Sequence, residues 1–245
     1  MDHIIYTAAS GANAAMARQH ALSHNLANVS TPGFRAELST HRSVPLEGSG
    51  ASTRVFALDA TAGHLDSPGP ITQTGRNLDV AARDNAYFAL QALDGTEAYT
   101  RAGALEVRQD GTLVNPQGLP MLDAGGAPIT VPERAKVQIG ADGTVSAKVG
   151  NEPVTVVGRL KMVTPTPEQR LKRGDDGYFR GATGDTLDAD PNARLQDAAL
   201  EGSNVNPIEA MVGMIQVARH FEQQMKLLQT AEKNDQTASQ LLGLG

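Results

Sequence analysis

The fold class this sequence predicts is mainly β with terminal α-helices: a central antiparallel β domain plus an N- and C-terminal helical coiled-coil region. Three observations carry it. Near the start, Ile5, Ala8, Ala12, Ala15, Gln19, Leu22 and Leu26 recur at steps of three and four. Near the end, Met211, Met214, Ala218, Phe221, Met225 and Leu228 do the same. Such steps line side chains along one helical stripe, the seam of a coiled coil. Between the stripes, short apolar runs alternate with turn residues, which suits hairpins and not βαβ units. A chain that keeps its packing stripes at its termini is expected to close them on each other, on copies of itself, or on both. That favours an assembly subunit over an enzyme.

The first helix is expected over residues 3 to about 29. Ala8, Ala9, Ala12, Ala14, Ala15, Ala17 and Ala21 favour helix at little side-chain entropy cost and let another helix come close. Thr31-Pro32-Gly33 ends it, because proline removes a donor and glycine releases the backbone. Residues 1–35 thus read as an N-terminal helical assembly segment. From 36 to 79 the pattern is poor, with Gly48, Ser49, Gly50, Pro68, Gly69 and Pro70 marking loops, and an extended arm or linker is expected.

Residues 80–200 read as the antiparallel β domain. Asn77-Leu78-Asp79-Val80 leads into the strand Tyr87-Phe88-Ala89-Leu90. Asp110-Gly111 between Leu105-Glu106-Val107 and Thr112-Leu113-Val114 is a hairpin signal, and Asp142-Gly143 repeats it between Val137-Gln138-Ile139 and Thr144-Val145. Gly158 interrupts a further apolar run as a bulge would, and Asp175-Asp176-Gly177 precedes Tyr178-Phe179. Residues 201–245 form the C-terminal helical assembly segment. Its helix starts near Pro207, with Asn206 as N-cap and Glu209 in the first turn.

Composition narrows function. A chain of 245 residues holds one large domain or two modest ones, and no Trp, five Phe, four Tyr and 25 Gly predict thin cores with many turns. The net charge of −6 offers no basic surface, so no nucleic-acid partner is expected. Zero Cys removes thiolate catalysis, thiolate metal sites and disulfides. No apolar run approaches the roughly 20 residues that span a bilayer, and no membrane-spanning segment is expected. The N-terminus has no basic run and an interrupted apolar stretch, so it does not read as a signal peptide.

Chemistry-bearing clusters are weak. His20 and His24 share a helix face without an obvious carboxylate partner, and read as interface or solvated histidines. Asp175, Asp176, Asp185, Asp188 and Asp190 miss the calcium-loop spacing and read as turn formers. No nucleophile elbow, phosphate loop, zinc-hydrolase helix or dinucleotide fingerprint is present. No catalytic residue, cofactor or metal is therefore expected. The competing readings are a peptidoglycan hydrolase, for which Glu37, Glu97 or Glu106 could only be nominated arbitrarily, and a soluble β-rich binding protein with helical appendages.

Longer motifs point elsewhere. Asn25-Leu26-Ala27-Asn28-Val29-Ser30-Thr31-Pro32-Gly33-Phe34-Arg35, Tyr99-Thr100-Arg101-Ala102-Gly103, and Leu200-Glu201-Gly202-Ser203-Asn204-Val205-Asn206 resemble, in that order, motifs of the bacterial flagellar rod and hook family. The chain length, Pro207, and the run from Ile215 to Phe221 look most like the proximal rod branch, with the distal rod branch as the alternative. One departure lies at Ala82-Arg83-Asp84-Asn85-Ala86-Tyr87-Phe88, where relatives usually carry a glycine-rich turn before two aromatics. Tyr87 and Phe88 are still expected to anchor the core.

The resemblance implies structural work in the flagellar basal body. Family members build an axial export channel, transmit torque, and place their terminal helices in an inner coiled-coil layer with the β domain outside. It also implies export by the flagellar type III apparatus without a cleaved signal peptide, and a rod position within the periplasmic space. Partners would be other rod proteins and copies of this chain. The expected assembly residues are Ile5, Ala8, Ala12, Leu22, Leu26, Met211, Met214, Ala218, Phe221, Met225 and Leu228. Asn25, Asn28, Asn204 and Asn206 are expected to satisfy bends or neighbouring backbone groups.

Overall fold

The computed structural model describes residues 3–45 and 55–242. Gly48, Ser49 and Gly50, and the side chain of Ile5, lie outside the described residues. The protein is mainly β, with one helix at each end, and divides into two compact units. One comprises residues 1–29, 36–65 and 205–245; the other comprises 30–35 and 66–204.

In the helical unit, α1 (His3–Ala27) and α2 (Pro207–Leu242) pack on each other. The site a Cβ would occupy at Gly11 lies 3.1 Å from the Gln224 side chain, and that at Gly213 lies 3.2 Å from Leu22. An advance along α1 is therefore matched by a retreat along α2, so the helices run antiparallel. Small residues make the approach close: Ala8, Ala12 and Ala15 on α1 are buried, as are Ala210, Val217 and Ala231 on α2. The same unit holds β1 (Glu37–Pro45) and β2 (Val55–His64), an antiparallel pair with an irregularity between Leu38 and Thr40. A two-stranded ribbon is marginal alone, and both strands lie against α1.

The β unit contains β3 (Ile71–Gln73), β4 (Val80–Ala82), β5 (Tyr87–Gln91), β6 (Glu97–Thr100), β7 (Glu106–Val107), β8 (Leu113–Val114), β9 (Lys136–Ile139) and β10 (Thr144–Lys148). It continues with β11 (Thr155–Arg159), β12 (Met162–Val163), β13 (Leu171–Arg173), β14 (Phe179–Gly181), β15 (Leu195–Asp197) and β16 (Ala199–Glu201). The largest sheet has the order β12-β5-β6-β14-β13, a second has β11-β10-β9, and β15-β4, β16-β3 and β7-β8 are pairs. Every ladder is antiparallel. The alternation of side chains along a strand sends Phe88 and Leu90 into the main core with Leu105, Met121, Val145 and Leu160. Tyr87 and Ala89 go to the opposite face, with Tyr99, Val163 and Phe179. Strand β5 is thus buried on both faces.

One turn is used four times. In Leu93-Asp94-Gly95, Gln109-Asp110-Gly111, Ala141-Asp142-Gly143 and Asp175-Asp176-Gly177, each glycine has φ between 81° and 85°, a region that costs side-chain-bearing residues. Each aspartate Oδ1 accepts from the amide two residues on, at 2.9 Å for Thr96, 2.9 Å for Thr112, 3.0 Å for Thr144 and 3.1 Å for Tyr178. Asp110-Gly111 and Asp142-Gly143 are the two turns expected as hairpins and Asp176-Gly177 one expected as a turn; Asp94-Gly95, which joins β5 to β6, is an addition.

The observed units differ from four consecutive segments. Residues 37–45 and 55–64 form β1 and β2, polar in the first strand and Ala-rich in the second, without the regular apolar alternation that announces a strand. Residues 66–79 belong with the β unit because β3 pairs with β16, from Ile71↔Glu201 to Gln73↔Ala199. Ala198 is the corner between two pairings: Leu195–Asp197 lie on β4 and Ala199–Glu201 on β3. It takes φ 51°, and its carbonyl accepts from the amides of Thr74 and Gly75 at 2.8 and 3.1 Å.

Candidate functional site

The candidate assembly residues divide into two rows on α2. Met214, Phe221 and Leu228 are half-buried on the side that includes the buried Ala210, Val217 and Ala231. Met211, Ala218 and Met225 are exposed, Met211 by 51% and Met225 by 39%. Steps of three and four from Met211 merge these rows, but α1 occupies a face rotated by one residue, about 100°. Ile208, Val212 and Ile215 are also exposed and extend the open apolar face towards the start of α2. On α1, Ala8 and Ala12 are buried and Leu22 and Leu26 half-buried.

Asparagines of the motifs hold backbone. Buried Asn25 forms a two-way clamp: its Nδ2 donates to the Glu37 carbonyl at 2.9 Å, and the Glu37 amide donates to its Oδ1 at 2.7 Å. This imitates one rung of a strand ladder and ties the end of α1 to the start of β1. Asn28 Nδ2 donates to the His24 carbonyl at 2.9 Å, satisfying an acceptor in the last turn of α1. Asn206 Oδ1 accepts from the Ile208 and Glu209 amides at 3.1 and 3.3 Å and caps α2. In the β unit, Asn204 Nδ2 donates to the Ser67 carbonyl at 2.9 Å.

The three sequence motifs meet inside the β unit. Glu201 on β16 sends Oε1 to Arg35 Nη1 at 2.7 Å, and Oε2 to Arg101 Nε at 2.8 Å and Nη2 at 2.5 Å. All three side chains are at most 1% exposed. Glu201 Oε1 also accepts from the Gly69 amide at 2.9 Å, and the Glu201 carbonyl accepts from the Gly33 amide at 2.8 Å. Arg35 Nη1 donates to the Ser67 carbonyl at 2.8 Å. Gly33 is required here: φ is 71°, and a Cβ would run into the Ala102 amide nitrogen. Buried Phe34 lies beneath the Arg173 guanidinium, 4.5 Å from the ring centroid. Burial pulls the Arg101 guanidinium below its ordinary range; the Glu201 charge opposes this and the Arg35 charge adds to it. Burial likewise pushes the Tyr87 phenol up, against the Arg35 and Arg101 charges.

Arg101 also shapes the turn at Ala82–Ala86. Its Nη1 donates to the carbonyls of Asp84, at 2.9 Å, and Ala86, and its Nη2 to that of Ala82, at 2.9 Å. Asp84 takes φ 51°, a conformation that aspartate tolerates better than most residues. The guanidinium therefore fixes the turn from inside, and Tyr87 and Phe88 are buried beyond it. Arg35, Arg101 and Glu201 stood in the motifs without an assigned role. The signal for one was the presence of charged residues among small and apolar neighbours.

The other nominated groups are dispersed. His24 Nδ1 lies 3.1 Å from Glu37 Oε2 at an exposed position, and His20 is exposed. Glu97 pairs with Lys161, whose Nζ is 2.7 Å from Oε1, and Glu106 is exposed on β7. Asp176 binds Arg180 at 2.7 Å, and Asp190 accepts from the Thr164 hydroxyl at 2.6 Å. Among the described residues no group of three His, Cys, Asp or Glu is arranged to hold a metal ion, and no helix is long and apolar enough to cross a membrane.

Three family descriptions match this chain: flagella basal body rod protein over residues 5–35, flagellar hook protein FlgE/F/G D1 domain over 81–147, and flagellar basal body rod FlgEFG protein C-terminal over 196–241. Across the full length of both chains, it is 45% identical to the flagellar basal-body rod protein FlgF of Salmonella typhimurium and 44% identical to that of Escherichia coli. It is 28% identical to the flagellar basal-body rod protein FlgG of Buchnera aphidicola, covering 97% of this chain and 98% of the relative.

Proposed function

This chain belongs to the flagellar basal-body rod family, and from that premise we propose that it is a structural subunit of the proximal rod, working by helix-mediated assembly and not by catalysis. One observation carries the mode of action: α2 gives one row of apolar residues to α1 of its own chain and leaves a second, Met211, Ala218 and Met225, open. The open row serves neighbouring rod proteins and copies of this chain, and the neighbour completes a coiled-coil seam. Three such positions per helix are few, but every subunit repeats them, and the flexible Met side chains fit slightly different neighbours. Contacts between unlike surfaces that do not close on themselves build helical rods.

In this reading the helices line the axial export channel, and the β unit carries load when torque passes along the rod. The chain reaches the periplasmic space through the flagellar type III export apparatus without losing a signal peptide. The 45% and 44% identity to two FlgF-named relatives, against 28% to a FlgG-named one, favours the proximal over the distal position.

Limited proteolysis of the full-length protein, alone and with neighbouring rod proteins, tests this. Alone, residues 205–245 and the remainder of the helical unit are cut faster than the β unit, as a marginally stable helix pair would be; after co-assembly both are protected alike. Equal protection of the helices in both states would overturn assembly-coupled ordering.

A further inference from the structure

The chain contains four Asp-Gly links, Asp94-Gly95, Asp110-Gly111, Asp142-Gly143 and Asp176-Gly177. Asp-Gly is the aspartyl link most open to spontaneous rearrangement, because no side chain screens the glycine nitrogen. That nitrogen attacks the aspartate Cγ, a C–N bond forms, and the carboxyl loses one oxygen as water. Water then opens the five-membered succinimide at either of its carbonyls. Opening at the backbone carbonyl leaves an isoaspartyl link, in which the main chain runs through Cγ and is one atom longer.

All four links sit in one kind of turn, and what they share does not rank them. Each glycine amide donates to the carbonyl three residues back, at 3.0 Å in Gly95, 2.9 Å in Gly111, 2.9 Å in Gly143 and 3.0 Å in Gly177. Hydrogen bonds hold all four carboxyls below their ordinary range. Their surroundings differ. To close the ring, the peptide plane between aspartate and glycine must swing towards Cγ. At Asp142-Gly143, Arg159 Nε donates to the Asp142 carbonyl and the Leu160 amide to the Gly143 carbonyl, both at 2.8 Å. At Asp110-Gly111 the glycine is buried against Val131, whose amide donates to the Gly111 carbonyl at 2.8 Å. At Asp176-Gly177 Arg180 grips the carboxylate itself, at 3.0 Å on Oδ1 and 2.7 Å on Oδ2. Asp94-Gly95 is held by neither means. Among the described residues no donor binds the Asp94 or Gly95 carbonyl. Leu93, Asp94, Gly95 and Thr96 are all exposed, and no atom beyond the chain neighbours lies within 4 Å of where a Gly95 Cβ would stand. The Asp94 carboxylate accepts from the Thr96 amide and hydroxyl, at 2.9 and 2.7 Å, which move with the turn, and from Arg180 only at 3.4 Å.

We infer that Asp94-Gly95 is the isoaspartate-forming site of the folded protein, the other three links being locked by their surroundings. The change falls at the tip of the hairpin that joins β5 to β6, beside the pair Gln91↔Glu97. One extra main-chain atom there disturbs the register of two strands whose Leu90, Ala98 and Tyr99 are buried. A slow covalent ageing reaction is thus set on the largest sheet, whether or not the chain is built into a rod.

Incubation of the full-length protein in heavy-oxygen water at neutral pH reads the reaction, because each succinimide that opens keeps one labelled oxygen. The four links fall in separate tryptic peptides, residues 84–101, 109–134, 137–148 and 174–180, and fragmentation places the label on a residue. In the folded protein the label at Asp94 is expected to exceed that at each of the other three aspartates at least fivefold. In urea, where the turns are gone, all four are expected to label alike. Asp94→Glu, whose six-membered imide closes far more slowly, is expected to lose the label. Arg180→Gln frees the Asp176 carboxylate and is expected to raise the label at Asp176 at least threefold. Equal labelling of the four links in the folded protein, or a higher yield at Asp110, Asp142 or Asp176, would overturn the inference. An Arg180→Gln protein whose Asp176 stays as unreactive as in the wild type would overturn the ranking by surroundings on which it stands.

Discussion

Glu201 and Arg101 stand one hundred residues apart in sequence and meet in the interior of the β unit, the carboxylate Oε2 lying 2.8 Å from Nε and 2.5 Å from Nη2. With Arg35 on the other oxygen, one negative charge is shared by two positive ones, all shielded from water. Such a group is costly to bury and tolerable only when its hydrogen bonds are satisfied. The carbonyls of Ser67, Ala82, Asp84 and Ala86 and the amide of Gly69 supply most of those bonds, while the buried Arg35 Nε has no hydrogen-bond partner among the described residues. The triad therefore ties segments from the N-terminal, central and C-terminal motifs into one interior.

Removing the shared charge should be severe. Glu201→Gln leaves two buried guanidiniums without a counter-charge, and the expected loss is about 3–5 kcal/mol in urea unfolding of the β unit. Arg101→Met should be at least as damaging, because it also strips donors from three turn carbonyls. A loss below about 1 kcal/mol for both would show that the triad does not hold the unit together.

The corner at Ala198 offers the opposite sign. An alanine at φ 51° bears a left-handed penalty of about 1–2 kcal/mol, against about 0.5–1 kcal/mol of extra chain entropy lost by glycine. Ala198→Gly should therefore stabilise the β unit by roughly 0.5–1 kcal/mol, seen as a higher unfolding midpoint at unchanged slope. A lower midpoint would show that the Ala198 methyl contributes packing that outweighs the strain.

These two sites mark what the sequence could and could not disclose. The terminal helices were legible because alanine propensity and three-four spacing are local, and two hairpins, at Asp110-Gly111 and Asp142-Gly143, because Asp-Gly demands one kind of turn. The triad was not, since its partners are scattered through the chain and no periodicity links Arg35 or Arg101 to Glu201. The α2 stripe was legible to within one residue of rotation: spacing names a face, but Gly213 and Ala210, by letting α1 come close, decide which face is used first. Ribbon β1–β2 gave no signal because its order comes from α1 and from the Asn25 clamp on Glu37, both tertiary.

Acid should loosen the β unit. Burial tends to raise the Asp79 carboxyl, but bonds from Arg76, at 2.8 and 2.5 Å, and from the Thr74 hydroxyl, at 2.6 Å, outweigh it and hold the group below its ordinary range. Asp94 and Asp142, held chiefly by their threonine hydroxyls, and Asp110, held chiefly by the Thr112 amide, are shifted the same way. A carboxyl depressed in the folded state contributes stability above its unfolded value, near pH 4, and loses it as pH falls through the folded value. The melting temperature should therefore drop between about pH 4 and pH 2. Asp79→Asn should melt lower at pH 7 and show a shallower acid slope, and an unchanged slope would remove Asp79 from this account.

The two rows of α2 should separate folding from assembly. Phe221 is half-buried on the row facing α1, so Phe221→Ala should weaken the helical unit of a lone molecule by about 1–3 kcal/mol, read as faster amide exchange in both α1 and α2. Met211 and Met225 point away from that contact. Met211→Ser with Met225→Ser should leave exchange in the lone molecule nearly unchanged, as surface substitutions usually do, yet reduce incorporation into rods. Equal effects of both rows on lone-molecule exchange would place Met211 and Met225 inside the protein's own helix pair and leave no open row for a neighbour. Loss of incorporation with Met211→Ser and Met225→Ser, at unaltered exchange, would assign the exposed row to contacts between subunits.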